Sequence, residues 1–204
     1  MNKTLARVGY APIKEMTTEN TTYGDIKWFE SEKSGGREYR MSPEGESKPI
    51  YADGKSVIDI VDHAGHSGSV TLIDVLDDIE EDWYGNKKTA TGGIIECSGI
   101  TKQPHFALVI AQETLNGDKK YQIDTYYNCT ATSHERSGKT IEGEGFDPDF
   151  PEIPIVARDR IDGKGSHGVE YVDELPTKVI EPTLAETVAA KTPVAVATSE
   201  SSKK

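Results

Sequence analysis

Hydrophobic and polar residues alternate along much of this chain, and the alternation predicts β-strands. Residues 25–30 (DIKWFE), 57–61 (VIDIV) and 120–129 (KYQIDTYYNC) all alternate with a period of two. Residues 104–112 (PHFALVIAQ) are apolar throughout their middle, which favours a central strand that is buried on both faces. These four segments together indicate a sheet-rich protein.

Turn signals separate further strand-like runs. Asp53-Gly54 and Asn116-Gly117 are typical of tight hairpin turns. Pro151 and Pro154 interrupt residues 150–158, so we expect an edge strand or a bulged strand there. The remaining strand-like runs are residues 49–52, 67–75, 93–98 and 168–172. We count about eight strands.

One segment has helical periodicity. Leu76, Ile79 and Trp83 stand at positions i, i+3 and i+7, which places them on one helical face as its core anchors. Asp74 fits an N-terminal cap, and Gly85 fits a C-terminal cap. We expect an acidic outer face made of Asp77, Asp78, Glu80, Glu81 and Asp82.

The rest of the chain predicts an arm, a loop and a tail. We expect residues 1–24 to form an arm or a short edge strand. We expect residues 31–48, rich in Gly and charge, to form a long loop, whose middle at residues 37–41 (REYRM) could be one arm of a hairpin. Residues 182–204 have the composition of a disordered tail. The predicted fold is therefore mainly β: a β-sandwich or barrel over residues 1–181 with one short flanking α-helix.

The chain is acidic, with 23 Lys and Arg against 35 Asp and Glu and a net charge of −12. This balance argues against a protein that binds nucleic acid tightly through its phosphates. The net negative charge lies in residues 1–175, because the remaining residues carry four Lys against three Glu. The start of the chain has no apolar run of signal-peptide length and no stretch is long enough for a membrane anchor, so we expect neither secretion by the common route nor an anchor.

A search for chemical motifs identifies no catalytic, metal or cofactor-binding residues. His63 and His66 form an H-x-x-H pair, which we expect to be a pair of loop histidines because no further metal ligands follow at a suitable spacing. Cys97 and Cys129 lie in strand-like surroundings, as expected of buried free thiols. Nucleophile elbows and phosphate-binding loops are absent. A pair of catalytic carboxylates stays open as an alternative, because nothing singles out two of the 35 acids.

The order of several weak motifs resembles the major tail proteins of long-tailed bacteriophages, especially those of Gram-positive hosts. The resemblance covers about residues 4–175. Its parts are Ala6–Pro12 (ARVGYAP), Tyr51–Gly54 (YADG), the helix that ends at Gly85, Pro104–Leu108 (PHFAL), Glu113, Asn116-Gly117, Tyr121–Tyr127 and Arg160–Gly163 (RIDG).

This resemblance implies a structural virion protein. Such subunits form hexameric rings that stack into a tail tube, have a β-sandwich-plus-helix fold, and need no catalysis or cofactor. The implied partners are other copies of the chain and the tape-measure, tail-terminator and distal tail proteins. The implied location is the tail of the virion, after assembly in the host cytoplasm. DNA would pass through the tube without specific binding, along a lumen face enriched in acids.

The loop at residues 31–48 is the candidate contact between subunits or rings, since a long loop can become ordered on a neighbouring copy. Its charged residues are Glu32, Lys33, Arg37, Glu38, Arg40, Glu44, Glu46 and Lys48. A plain surface loop is the alternative for this segment. For the whole chain, the alternative function is a carbohydrate-binding or adhesin-like module, with Tyr126, Tyr127, Tyr51 and Trp28 as candidate aromatic contacts.

Overall fold

The computed structural model describes residues 3–52, 55–96, 102–115, 117–133 and 149–181. Eleven strands and one helix lie within these ranges. In chain order they are β1 (Lys3–Met16), β2 (Thr21–Tyr23), β3 (Lys27–Trp28), β4 (Gly36–Ala52), β5 (Lys55–Leu72), α1 (Asp77–Tyr84), β6 (Lys87–Lys88), β7 (Ile94–Ile95), β8 (Phe106–Thr114), β9 (Tyr121–Ala131), β10 (Glu152–Ala157) and β11 (His167–Val172).

Nine of these strands form one antiparallel sheet. Seven of them follow the order β2-β1-β8-β9-β10-β5-β4, and β3 and β11 pair with members of this row. Strand β11 pairs with β9 next to β10, and β3 pairs with β1, while β6 and β7 form a separate small ribbon. The mainly-β class with one short helix is therefore confirmed, in keeping with a β-sandwich-like architecture. The apolar run at residues 104–112 supplies β8, which lies between β1 and β9 and is buried on both faces, as predicted.

The N-terminal segment differs from its prediction as an arm or edge strand. Strand β1 is 14 residues long and pairs with β8 from Lys3↔Thr114 to Pro12↔Phe106, and on its other side it pairs with the short β2 and β3. Val8 and Tyr10 are buried on one face, and Ala11 is buried on the other. The sequence signal is weak because the side chains at one face are small while charged residues stand at both ends of the strand.

Strand β10 is also not the edge strand that its prolines predicted. It lies between β5 and β9. The Pro154 carbonyl accepts a hydrogen bond from Thr132 N–H on the β9 side, so the proline nitrogen faces that side as well. Strand β9 ends at Ala131, so Pro154 lies just past the last β9–β10 pair. The N–H that Pro154 lacks therefore removes no hydrogen bond from the regular pairing of these strands.

Helix α1 begins later than expected and has no side-chain cap. Leu76 occupies the N-cap position, while Asp74 accepts a hydrogen bond from the backbone of its neighbour Val75. Gly85 ends the helix with a φ of 71°, and its N–H donates to the carbonyls of Glu80 and Glu81, as a C-terminal cap requires. Ile79 and Trp83 are buried, whereas Leu76 is partly exposed and does not belong to the core cluster.

Two apolar clusters cover the two faces of the sheet. Helix α1 covers the first face, where the Trp83 ring stacks on Phe106 at 4.3 Å and meets Tyr10 edge-on at 5.5 Å. The second face is covered by residues 175–181, which we call the C-terminal strap. Its Leu175 and Val179 pack against the second cluster.

Several predictions fall partly or wholly outside the described residues. Cys129 is a buried free thiol whose pKa is raised to about 12 by burial, while Cys97 lies outside the described ranges. Asp53-Gly54, Asn116 and the expected disordered tail at residues 182–204 also lie outside them.

Candidate assembly surface

The expected loop at residues 31–48 is mostly a strand, so this prediction is wrong. Strand β4 pairs with β5 from Gly36↔Leu72 to Ala52↔Lys55, and the two strands form one long hairpin. The separate strands expected at residues 57–61 and 67–75 belong to the same β5. The polar residues and prolines of this segment predicted a loop. Strand β4 tolerates both because it lies at the end of the sheet.

The outer part of this hairpin extends past the strands beside it. Strand β10 accompanies β5 only as far as Ala157↔His66. In the described chain, residues 44–52 and 55–65 pair only with each other. At a rise of about 3.4 Å per residue, this two-stranded part is about 30 Å long. A hairpin with no third strand is marginally stable alone, so it is suited to binding another surface.

Gly65 marks the point at which β5 leaves the sheet. Its φ of 107° belongs to the left-handed region that favours glycine, and a Cβ at this position would collide with the carbonyl oxygen of Ala157. The register shifts opposite, between Glu44 and Gly45. Beyond this point, β11 replaces β10 as the strand that pairs with β9, and β5 does not pair with β11.

The predicted charged residues lie along the base and first half of the hairpin. Lys33 is in the turn before β4 and pairs with Glu30 at 2.6 Å, while Glu32 is exposed there. Arg40 pairs with Glu38 at 3.1 Å. These pairs are exposed and contribute little to stability. Of the other predicted residues, Arg37 lies over the Phe150 ring at 4.2 Å, Glu44 is exposed, and the side chains of Glu46 and Lys48 lie outside the described part.

A buried polar cluster lies at the root of the hairpin. The Asp124 carboxylate accepts hydrogen bonds from Gln112 at 2.7 Å and Gln122 at 3.0 Å, and Gln112 also donates to the Tyr39 hydroxyl of β4. Burial, with the Asp124 charge next to it, raises the pKa of Tyr39 to about 12. The cluster therefore ties β4 to β8 and β9, so that the base of the hairpin is fixed to the sheet.

Two histidines lie next to this cluster, His66 of β5 and His167 of β11, near the point at which β5 leaves the sheet. The rings of His66 and His167 are 5.3 Å apart, and both pack on Tyr126. The sequence predicted His66 to lie in a loop, but it lies in β5. Within the described ranges, no group of three or more His, Cys, Asp or Glu side chains is arranged to hold a metal ion.

The far side of the sheet is closed by the C-terminal strap. Ile26 N–H donates to the Thr177 carbonyl at 2.9 Å, and the Trp28 indole donates to the Pro176 carbonyl at 2.9 Å. An isolated bridge between Asp25 and Lys178 completes the contact. The backbone next to β3 is therefore covered by the chain itself.

A buried arginine holds the end of the strap. The Arg160 guanidinium donates to Asp162 at 2.9 and 2.5 Å and to Glu181 at 2.7 Å, and it lies close to the rings of Tyr23 and Tyr127. Burial alone would lower the pKa of Arg160, but the two carboxylates raise it. For Asp162, burial acts to raise the pKa, but the hydrogen bonds from Arg160 and the Lys164 backbone, together with the charges of Arg160 and Lys164, lower the pKa overall.

The acidic face of α1 is partly neutralised within the chain. Lys27 contacts Asp82 at 2.6 Å, and Lys88 contacts Asp78 at 2.5 Å. Glu80 was expected on the outer face but is buried, where its carboxylate accepts a hydrogen bond from Asn86 at 2.8 Å. The exposed acidic face is therefore smaller than predicted.

Sequence reasoning missed the two residues on which these buried networks depend. Asp124 was noted only as a member of an alternating strand, and Arg160 only as part of the RIDG run. Their partners are distant along the chain: Tyr39 for Asp124 and Glu181 for Arg160. The available local signal was the turn pair Asp162-Gly163, which predicts a turn but no buried ion pair.

Comparison with protein-family models, with curated proteins and with solved structures gives no match for this chain. None of the helices in the described ranges has the length and apolarity to cross a membrane.

Proposed function

We propose that this protein is a structural subunit that assembles with copies of itself into rings, which stack into the tail tube of a bacteriophage. The observation that carries the proposal is the β4–β5 hairpin, whose outer residues have no third strand in the described chain. A hairpin of this length gains stability when another surface completes it. The proposal also rests on the sequence resemblance to tail-tube subunits.

The open sheet edge favours assembly over a solitary role. An exposed row of unpaired N–H and C=O groups is a template for pairing with another chain, and a closed ring removes such edges. Contacts between unlike surfaces are head-to-tail, so they close into rings or continue as filaments. The resemblance sets the expected ring at six subunits.

The remaining parts of the proposal follow from the tube. The subunit would need no catalysis and no cofactor, and its other partners would be the tape-measure, tail-terminator and distal tail proteins. Its place would be the virion tail, after assembly in the host cytoplasm. DNA would pass along a face enriched in acids without binding, because like charge repels phosphates. An assembled tube with a strongly basic lumen would contradict that last point.

The carbohydrate-binding alternative receives no support from those of its candidate aromatic residues whose side chains the structure describes. Tyr126 and Tyr127 are buried, and the Trp28 indole is bonded to the strap. The side chain of Tyr51 lies outside the described part.

Removal of the outer hairpin tests the proposal. A variant in which residues 44–65 are replaced by a short turn keeps the base of the hairpin, where Gly36–Pro43 pair with His66–Leu72. Negative-stain microscopy and mass determination at high concentration should show rings or tubes for the wild type and none for the variant. Glu19→Ala, in the exposed turn between β1 and β2, is the control that should still assemble.

Circular dichroism should show that the shortened protein remains folded. Retained polymerisation of this variant would reject the role of the hairpin. A wild-type protein that binds glycans and forms no tubes under any condition would overturn the proposed function.

A further inference from the structure

We propose that the free edge of β11 (His167–Val172) accepts the outer edge of β4 from a second copy of the chain. The inference rests on the proposed function and names the two surfaces that join neighbouring subunits. It depends on the direction of the β11 backbone groups, on the exposed side chains of β11 and on the position of β4.

The register of β11 shows which of its backbone groups are free. Tyr127 N–H donates to the Ser166 carbonyl at 2.9 Å, and the pairing then runs without a shift from His167↔Tyr126 to Val172↔Tyr121. Backbone groups alternate between the two edges of a strand, so those of Val169 and Tyr171 face away from β9. On that side, β11 has no paired strand in the described chain.

Two of the three exposed side chains of β11 are hydrophobic, and the third is that of the charged Glu170. Val169 is 40% exposed and Tyr171 is 56% exposed. The strand contains no proline and no lysine, which are common means of preventing a sheet edge from pairing. Near its start, the contact between His66 and His167 closes the edge, so the accessible part begins at Val169.

A β4 strand that pairs with β11 must come from another copy. Strand β5 lies between β4 and β10, so the outer edge of β4 faces away from β11 of its own chain. Each subunit thus has an open edge at β4 and another at β11, and two unlike edges of this kind allow head-to-tail pairing. Just before β3, the C-terminal strap bonds to the backbone of Asp25 and Ile26.

Charged side chains of both signs lie next to the two edges. On β4, Arg37 and Arg40 are exposed, as are Glu38 and Glu44, and Arg40 pairs with Glu38. Glu170, Asp173 and Glu174 are exposed on β11 and just after it, where Asp173 pairs with Lys119 at 2.6 Å. Opposite charges on paired strands favour one register over others, and they make the association weaker at high salt.

Backbone substitution at the free edge tests the inference. Val169→Pro removes one outward N–H and leaves the β9 ladder intact, whereas the control Val169→Thr keeps that N–H. Tyr171→Lys is a second variant that leaves the backbone unchanged and adds an edge charge. Sedimentation velocity and negative-stain microscopy measure assembly, and thermal melting followed by circular dichroism measures the fold.

We expect Val169→Pro and Tyr171→Lys to stay folded and to raise the concentration needed for assembly at least about tenfold, a difference of about 1.4 kcal/mol. Val169→Thr should assemble as the wild type does. If both edge variants assemble normally, the β11 acceptor is wrong while the proposed tube stands. A wild type that forms no assembly under any condition overturns this inference together with the proposed function.

Discussion

Replacement of Arg160 should detach the C-terminal strap and destabilise the fold. Its side chain and that of Asp162 are both 0% exposed, so Arg160→Met leaves a buried carboxylate without its cation. Removing one partner of a buried pair costs about 3–5 kcal/mol, since the remaining charge stays desolvated. Methionine retains an apolar stem next to Tyr23 and Tyr127, so we expect about 3 kcal/mol.

The contact with Glu181 should matter much less. Its side chain is 44% exposed, and ion pairs at that exposure contribute about 1 kcal/mol or less. Glu181→Gln is therefore the matched control. Urea unfolding followed by tryptophan fluorescence gives both free energies, and hydrogen exchange over residues 175–181 shows whether the strap has been released.

A double-mutant cycle separates the charge effect from lost packing. In Arg160→Met with Asp162→Asn, the stranded charge is gone, so the combined loss should be about 2 kcal/mol less than the sum of the two single losses. If Arg160→Met costs less than about 1 kcal/mol, or if the two losses add, the buried ion pair does not hold the strap as described.

Three further predictions follow from positions described above. Gly65→Ala should lower the free energy of unfolding by about 1 kcal/mol or more, because alanine is strained at positive φ and its Cβ collides with the Ala157 carbonyl. The substitution should also impair assembly. Urea unfolding and sedimentation measure the two effects, and unchanged results in both would contradict this prediction. Trp83→Ala should cost about 3–5 kcal/mol in urea unfolding, since the ring is buried against Phe106; a loss below about 1 kcal/mol would contradict its role. Stability should fall as the pH rises from about 9 to about 12, because folding raises the pKa of Tyr39 and Cys129 to about 12 and the unfolded chain loses these protons first. Unfolding free energies equal at about pH 8 and about pH 11 would rule out this linkage.

The sequence predicts best the elements whose signal is local. The apolar run predicts β8, and the alternating pattern predicts β9. Both strands lie where expected, each with a paired strand on both sides. Gly85 caps α1 because only a residue that tolerates a left-handed conformation ends a helix in this way. These features depend on a few adjacent residues.

The elements that the sequence misjudged depend on distant partners. Strand β1 is a long strand within the sheet because β8, about 100 residues later, pairs along it, and no pattern within residues 1–24 contains that information. Strand β4 looks like a loop because its edge position tolerates Gly, Pro and charge. The segment at residues 31–48 was therefore given the wrong local structure, and its role in assembly stays a prediction.

The pairing of β1 with β8 also has a consequence for the time course of folding. About 100 residues of chain separate β1 from β8, so β1 can pair only with β2 and β3 until β8 has been synthesised, and contacts of such separation slow folding through the entropy of loop closure. The β4–β5 hairpin is local and can form earlier. Closure of the second face waits longer still, because the strap at residues 175–181 is synthesised after all of the described strands and bonds to Ile26 and Trp28. An early strand with exposed apolar residues must therefore remain unaggregated until its partner emerges, so nascent-chain handling should limit the yield of soluble protein.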